Sequence, residues 1–165
     1  MKQIEKQKII AATMESEKRR LFSYACYRLG DAEEAEDILQ DLFIAICETE
    51  GVTENVKNLK SYIFRSLINR CNTLLTNRQK MHFVELDAKE VSEKEQSEPQ
   101  NFEQEYLLIN KLLQTITQGQ SEVIRLHIHG EKSFREIADI LKIPESSVKS
   151  RYRYGIEKLR REIKK

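Results

Sequence analysis

The chain has 165 residues, with 28 basic and 27 acidic side chains and a formal net charge of +1. Five glycines and two prolines among many helix-forming residues favour a soluble, all-α protein of one or two small domains. No apolar stretch approaches the roughly 20 residues of a membrane span, and the N-terminus lacks the pattern of a signal peptide. We therefore expect the protein in the cytoplasm.

The sequence contains no motif typical of a catalytic or metal site. It has no Gly-rich phosphate loop and no nucleophile motif. Cys26, Cys47 and Cys71 are far apart, and each falls in an apolar helical pattern, which is typical of buried free thiols. No Cys or His pair has the spacing of a zinc site. We expect neither an enzyme nor a bound cofactor or metal.

Charge divides the chain into three blocks. Residues 1–80 hold 13 basic and 12 acidic side chains, residues 81–105 hold two and eight, and residues 106–165 hold 13 and seven. The middle block has few large apolar side chains, so its burial could not offset the loss of chain entropy on folding. The sequence predicts two small helical domains, residues 1–80 and 106–165, joined by a flexible acidic linker of residues 81–105.

The first domain begins with a helix that ends at Gly30 and a second helix that Asp31 caps, since glycine suits the left-handed position after a helix and aspartate is a preferred N-cap. The apolar stripe of the second helix consists of Ala35, Ile38, Leu39, Leu42, Phe43 and Ile46. The opposite face carries Asp37, Gln40, Asp41 and Ile44. This mixture of acids with an aliphatic residue suits a basic partner protein, although acids on a helix face are often simply solvated.

A polar loop at residues 51–57 precedes a long helix, predicted at residues 58–78. Its inward face contains Leu59, Tyr62, Ile63, Leu67, Cys71 and Leu74. Its outward face contains Lys60, Arg65, Asn69, Arg70, Asn72, Asn77 and Arg78. Bases and amides with almost no acid suit nucleic acid, because arginine meets phosphate and asparagine can read base edges. A solvated helix face would explain the pattern equally well.

The second domain opens with two predicted helices. The first includes residues 106–116 and ends near Gly119, and the second includes residues 123–128 and ends at Gly130. Their apolar positions could form a small core with the helices that follow.

The remaining residues have the pattern of a helix-turn-helix. Ser133 and Glu136 form a capping box, and Pro144 separates a short helix from a longer one. The inner face of the longer helix contains Val148, Tyr152, Gly155, Leu159 and Ile163, and its outer face contains Ser146, Ser147, Lys149, Ser150, Arg153 and Tyr154. Residues 142–165 hold nine bases and three acids, which favours contact with a phosphate backbone. The longer helix is the predicted DNA reader, although any three-helix bundle with a basic face shares part of this pattern.

Two stretches resemble the sigma-70 family. AEDILQDLF at residues 35–43 is similar to the core motif of region 2, and GEKSFREIADILKIPESSVKSRYRYGIEKLRR at residues 130–161 is similar to region 4. Their order, with only an acidic segment between them, resembles the small extracytoplasmic-function (ECF) sigma factors. The resemblance covers nearly the whole chain. It implies an initiation factor that binds core RNA polymerase and directs it to promoters.

The resemblance also implies four interfaces. Asp37, Gln40, Asp41 and Ile44 would bind the clamp helices of the polymerase β′ subunit. The loop of residues 50–58 would capture a flipped −10 base, with Arg65, Asn69 and Asn72 against the strand. Ser146, Lys149, Ser150, Arg153 and Tyr154 would contact the −35 major groove. Apolar residues of the second domain would dock on the β-subunit flap.

The family pattern implies a further partner. Family members are often held inactive by an anti-sigma factor, frequently one anchored in the inner membrane. The opposite charges of the second and third blocks also allow a compact free protein, in which the linker or the first domain covers the basic helix.

A stand-alone helix-turn-helix regulator is the alternative function, but such a regulator would have no use for the face formed by Asp37, Gln40, Asp41 and Ile44.

Some residues depart from the family pattern. Tyr62 stands where tryptophan is common, and Tyr154-Gly155 stands where Arg-Ala is often found. Glycine inside a helix costs about 1 kcal/mol relative to alanine. Gly155 therefore either permits close packing or weakens the helix.

Overall fold

The structure, a computed structural model, describes residues 2–55, 58–86 and 101–165. Within these ranges the chain forms eight α-helices and no strand, which confirms the all-α prediction. The helices are α1 (Lys2–Leu29), α2 (Ala32–Glu48), α3 (Val52–Asn55), α4 (Leu59–Leu86), α5 (Asn101–Leu113), α6 (Gln118–Ile128), α7 (Phe134–Leu141) and α8 (Glu145–Ile163). Residues 87–100 of the predicted acidic linker lie outside the described residues.

The turn between α1 and α2 forms as the sequence predicts. Gly30 has a φ of +82°, a left-handed conformation that glycine adopts without strain. The Asp31 side chain accepts hydrogen bonds from the backbone N–H groups of Glu33, at 2.8 Å, and Glu34, at 3.2 Å. These contacts satisfy donors in the first turn of α2 and fix its direction against α1.

The predicted loop and long helix need two corrections. A short helix, α3, occupies part of the predicted loop because Val52 is buried in the core. Helix α4 continues beyond residue 78 to Leu86, since residues 79–86 contain no glycine or proline to end it. The ends of α4 and α5 thus extend into the segment predicted as a linker.

The boundary between α5 and α6 also differs from the prediction. Helix α5 ends at Leu113, and Gly119 lies in the first turn of α6 instead of ending α5. Thr117 and Gln120 explain the difference, because they form a capping box in which each side chain binds the backbone of the other residue. The predicted capping box of Ser133 and Glu136 is present at the start of α7.

Helix α8 packs closely on α6 at Gly155. A Cβ atom at this glycine would lie 2.8 Å from Ile124 Cδ1 and 3.2 Å from Gln120 Cβ. Of the two interpretations of Gly155, close packing is therefore the correct one. Ile163 is 66% exposed and does not extend the inner face as predicted, because the apolar cluster under α8 reaches only to Leu159.

One continuous apolar core joins the first four helices to α6, α7 and α8. Ile63 and Phe64 of α4 belong to the same buried cluster as Leu126 of α6 and Ile137 of α7. Helix α4 contacts α7 directly. We call this arrangement, in which α1 and α4 pack on α6 and α7, the closed form.

Candidate protein and nucleic-acid interfaces

The four residues assigned to polymerase binding lie on the solvent side of α2. Asp37, Gln40 and Asp41 are exposed. The Ile44 side chain is 54% exposed, although it is aliphatic. The opposite side of α2 is buried against α1 and α4, so helix periodicity alone presents these four side chains together.

An open groove between α2 and α4 brings two of the predicted interfaces together. Asp37 and Asp41 from α2 line it together with Asn69, Arg70 and Asn77 from α4. Carboxylates therefore face amides and a guanidinium across the groove. The candidate polymerase-binding and −10 residues thus lie side by side and do not form distant surfaces.

The three −10 candidates on α4 differ in how accessible they are. Asn69 is exposed. Asn72 is half-buried, and its side-chain oxygen accepts a hydrogen bond of 3.0 Å from Arg28. Arg65 is also half-buried, and its guanidinium carbon lies 5.8 Å from the centre of the Tyr62 ring. A DNA strand could contact Asn69 directly, whereas Asn72 would first have to break its hydrogen bond with Arg28.

The outer face of α8 is open to solvent. Its exposed side chains are Ser146, Lys149, Ser150, Arg153 and Tyr154, all five −35 candidates. Lys149 makes only a loose surface ion pair of 3.8 Å with Glu145. The Arg153 guanidinium carbon lies 4.9 Å from the centre of the Tyr154 ring, so both side chains are held on one side of the helix. The first four helices do not cover this face, because they pack on α6 and α7 instead.

A buried ion pair connects the first four helices to the helix-turn-helix. Glu17 of α1 is 4% exposed and Lys132, just before α7, is 3% exposed. Lys132 Nζ lies 3.0 Å from Glu17 Oε2 and 4.4 Å from the centre of the Phe64 ring. Lys60 Nζ approaches the other Glu17 oxygen at 3.6 Å. The Glu17 carboxylate is thus compensated by cations from both sides of the contact.

Asp139 of α7 makes a second polar contact across the same boundary. Its Oδ2 accepts hydrogen bonds from Asn58 Nδ2, at 2.7 Å, and from Ser61 Oγ, at 2.8 Å. Asn58 immediately precedes α4 and Ser61 lies in its first turn. The start of α4 is therefore bound to the first helix of the helix-turn-helix.

A third contact involves aromatic and cationic groups. The rings of Tyr27 and His129 stack, with their centres 3.9 Å apart. Arg125 donates to the Tyr27 backbone carbonyl, at 3.2 Å, and to the Asn110 side chain, at 3.3 Å. Burial lowers the pKa of Arg125 to about 10. Burial, followed by the charge of Arg125, lowers the pKa of His129 to about 4.

Sequence reasoning missed these contacts. Glu17 and Asp139 fall on helices where an acid normally indicates a solvated face. Glu17 and Lys132 are separated by 115 positions, and no periodicity or motif relates residues so far apart. The capping box of Thr117 and Gln120, in contrast, could have been found from its T-x-x-Q spacing.

The described residues contain no group of three or more His, Cys, Asp or Glu side chains placed to hold a metal ion. None of their helices combines the length and the apolar character needed to cross a membrane.

Comparison with known proteins agrees with this geometry. Residues 13–81 match the family described as Sigma-70 region 2, and residues 112–161 match the family described as Sigma-70, region 4. No curated protein matches the chain. The fold is similar to that of the sigma factor RpoE from Bartonella quintana, solved in complex with the anti-sigma factor NepR. That match has a TM-score of 0.63 and 19% identity, and covers 95% of each chain.

The two family regions account for the helices that carry the candidate interfaces. Region 2 contains α2 and most of α4, and region 4 contains the helix-turn-helix of α7 and α8. Sigma factors of this kind bind core RNA polymerase and promoter DNA, and they are initiation factors rather than enzymes. The chain belongs to the sigma-70 family and is an RNA polymerase sigma factor, which directs core polymerase to its promoters.

Proposed function

We propose that the exposed face of α2 binds the clamp helices of the polymerase β′ subunit. The observation that carries this assignment is that Asp37, Gln40, Asp41 and Ile44 all point to solvent on a helix whose other side is fully packed. Carboxylates steer a basic partner, and the exposed Ile44 adds apolar area to the contact.

The promoter would contact two other helices. Arg65, Asn69 and Asn72 of α4 would contact the −10 strand. The segment of residues 50–58, which includes α3 and of which residues 56 and 57 lie outside the described residues, would hold a flipped base. The five exposed residues of α8 would enter the −35 major groove, where Lys149 and Arg153 can reach phosphates or guanine edges. The hydroxyl groups of Ser146 and Ser150 add donors that suit phosphate.

A fourth contact would join α5 to the flap of the β subunit. Leu107 is 64% exposed and Leu108 is 60% exposed, although both are large and aliphatic. Adjacent exposed leucines on one helix favour docking against an apolar partner surface. This contact would hold region 4 on polymerase while α8 faces DNA.

We place the protein in the cytoplasm, where core polymerase and promoters are found, and we assign it no catalytic activity of its own. An anti-sigma factor, in the membrane or in solution, is a further proposed partner. The support for it is the likeness of the fold to a sigma factor solved in complex with an anti-sigma factor.

Charge reversal at Asp41 tests the polymerase assignment. We expect Asp41→Lys to weaken binding to core polymerase at least tenfold and to abolish transcription from promoters that the unaltered chain uses, because a cation would face the basic partner surface. The measurement is co-elution with sigma-free core enzyme, followed by run-off transcription on a promoter library.

Glu48→Lys provides the matched control. Glu48 is also exposed on α2 and undergoes the same change of charge, but it lies at the end of the helix, one turn beyond Ile44. This variant should bind and transcribe normally. Normal binding by a folded Asp41→Lys protein would refute the assignment of this face.

A further inference from the structure

The first turns of α1 lie outside the part of the chain that matches region 2. That match begins at residue 13, whereas α1 begins at Lys2. We call residues 2–12 the N-terminal extension. One side of this extension is packed, because Ile10 is fully buried and Lys6 is half-buried although the residues next to it in the chain are exposed. The extension therefore has an inner face that contacts another part of the fold.

This inner face lies against the C-terminal end of α2. Gln3 Nε2 donates to the Cys47 carbonyl oxygen at 3.3 Å. Lys6 Nζ donates to the carbonyl oxygen of Thr49, the C-cap residue of α2. The last carbonyl groups of a helix have no partner within it and carry a partial negative charge. Helix α2 ends at Glu48 and has no basic residue in its own last turn, so Lys6 supplies the cation that this helix end lacks.

The same end of α2 leads directly into the segment proposed to hold the flipped base. Thr49 is followed by a turn in which Gly51 has a φ of +72°, and then by α3, in which Val52 is buried. Helix α1 contacts α3 as well as α2. Contacts from Lys6 and from the core thus fix residues 49–52, while the Glu54 side chain remains open to solvent.

We propose that the N-terminal extension positions the base-capturing segment of region 2, and that Lys6 is the positioning residue. The Lys6 amine is bound to the Thr49 carbonyl, so it acts on the promoter through residues 49–55 and not by contact with DNA. A segment that is already ordered loses less conformational entropy when it closes on a base, and therefore holds the base more tightly. The inference rests on the proposed function of this segment.

The variant Lys6→Met tests this inference, because methionine keeps an unbranched side chain but has neither the charge nor the donor. The probe is the single-stranded −10 element of a promoter found by run-off transcription, with an abasic site at each position in turn. It is bound to the complex of core polymerase and the full chain. For the unaltered chain, the abasic site at the captured base should weaken binding about tenfold, the effect of losing one stacked base.

With Lys6→Met, this penalty should fall to about twofold, because a poorly ordered segment gains little from the base. The penalty is a ratio of two affinities of the same complex. A variant that is only less stable would reduce the amount of active complex and leave this ratio unchanged.

Two variants serve as controls. Lys6→Arg keeps a cation with donors and should restore the full penalty. Lys8→Met removes the same charge from an exposed residue on the opposite side of the extension, and should leave the penalty unchanged. A full penalty in Lys6→Met, an equal loss in Lys8→Met or no recovery in Lys6→Arg would overturn the inference. If no abasic site weakens binding by the unaltered chain, the base-capturing assignment itself fails, and the inference fails with it.

Discussion

His129 shows how one residue can make the closed form sensitive to pH. Its ring stacks on Tyr27 of α1, and its Nδ1 is buried with no hydrogen-bond partner among the described residues. Burial and the charge of Arg125 lower its pKa from 6.5 to about 4, while Glu105 acts weakly in the opposite direction. The neutral ring is therefore favoured in the folded chain.

The expected consequence is a loss of stability in mild acid. Because the folded-state pKa is depressed, the contribution of His129 is fully present above pH 6.5 and is lost as the pH falls towards 4. We expect the free energy of unfolding to drop by about 1–2 kcal/mol between pH 7 and 5 from this group. Denaturant titrations at several pH values would measure it. His129→Phe keeps the aromatic stack but cannot titrate, so its profile should be flatter; an unchanged profile would rule His129 out as the cause.

Among the helices, α8 depends most on the size of one residue. Gly155 is buried, and a methyl group there would press on Ile124 and Gln120 of α6. Alanine would gain about 1 kcal/mol of helix propensity. Overpacking typically costs about 1–3 kcal/mol, so the two effects oppose each other at this position.

We expect Gly155→Ala to destabilise the protein by about 1 kcal/mol, because the clash outweighs the gain in helix propensity. Ile124→Val removes the nearest atom, Cδ1, and alone costs about 0.5–1.5 kcal/mol. The double variant should be more stable than the sum of the two single effects predicts, since the shorter side chain makes room for the methyl group. Strictly additive free energies of unfolding would show that the two positions do not interact.

Local sequence signals predicted the helices well and their ends less well. Gly30, Asp31 and the capping box of Ser133 and Glu136 act within a few residues, so their effects can be deduced from the neighbouring sequence alone. The predicted end of α5 near Gly119 is wrong because Gly119 lies in the first turn of α6, which Thr117 caps. Glycine tolerates the first turn of a helix, whereas Thr117 satisfies a backbone donor there.

At the scale of the whole molecule, sequence reasoning predicted which faces of α2 and α8 are exposed but not how the two regions meet. The exposed faces of α2 and α8 follow from helix periodicity, which any single helix reveals. Glu17, Lys132 and Asp139 acquire their roles only when helices distant in sequence come together. Charged residues are usually solvated, so a buried pair of this kind leaves no local pattern.

The three buried cysteines allow the opening of the folded chain to be measured by alkylation. Cys26, Cys47 and Cys71 are free and buried in α1, α2 and α4, and burial raises the pKa of all three, to about 11 for Cys26 and about 12 for Cys71. Only an exposed thiolate reacts quickly with an alkylating reagent. In a time course followed by mass spectrometry, each alkyl group added to a cysteine would therefore record an opening of the helix that holds it. The rate of alkylation should rise with denaturant concentration as the opened state becomes more populated. Alkylation in native buffer as fast as that of a small free thiol would contradict this expectation.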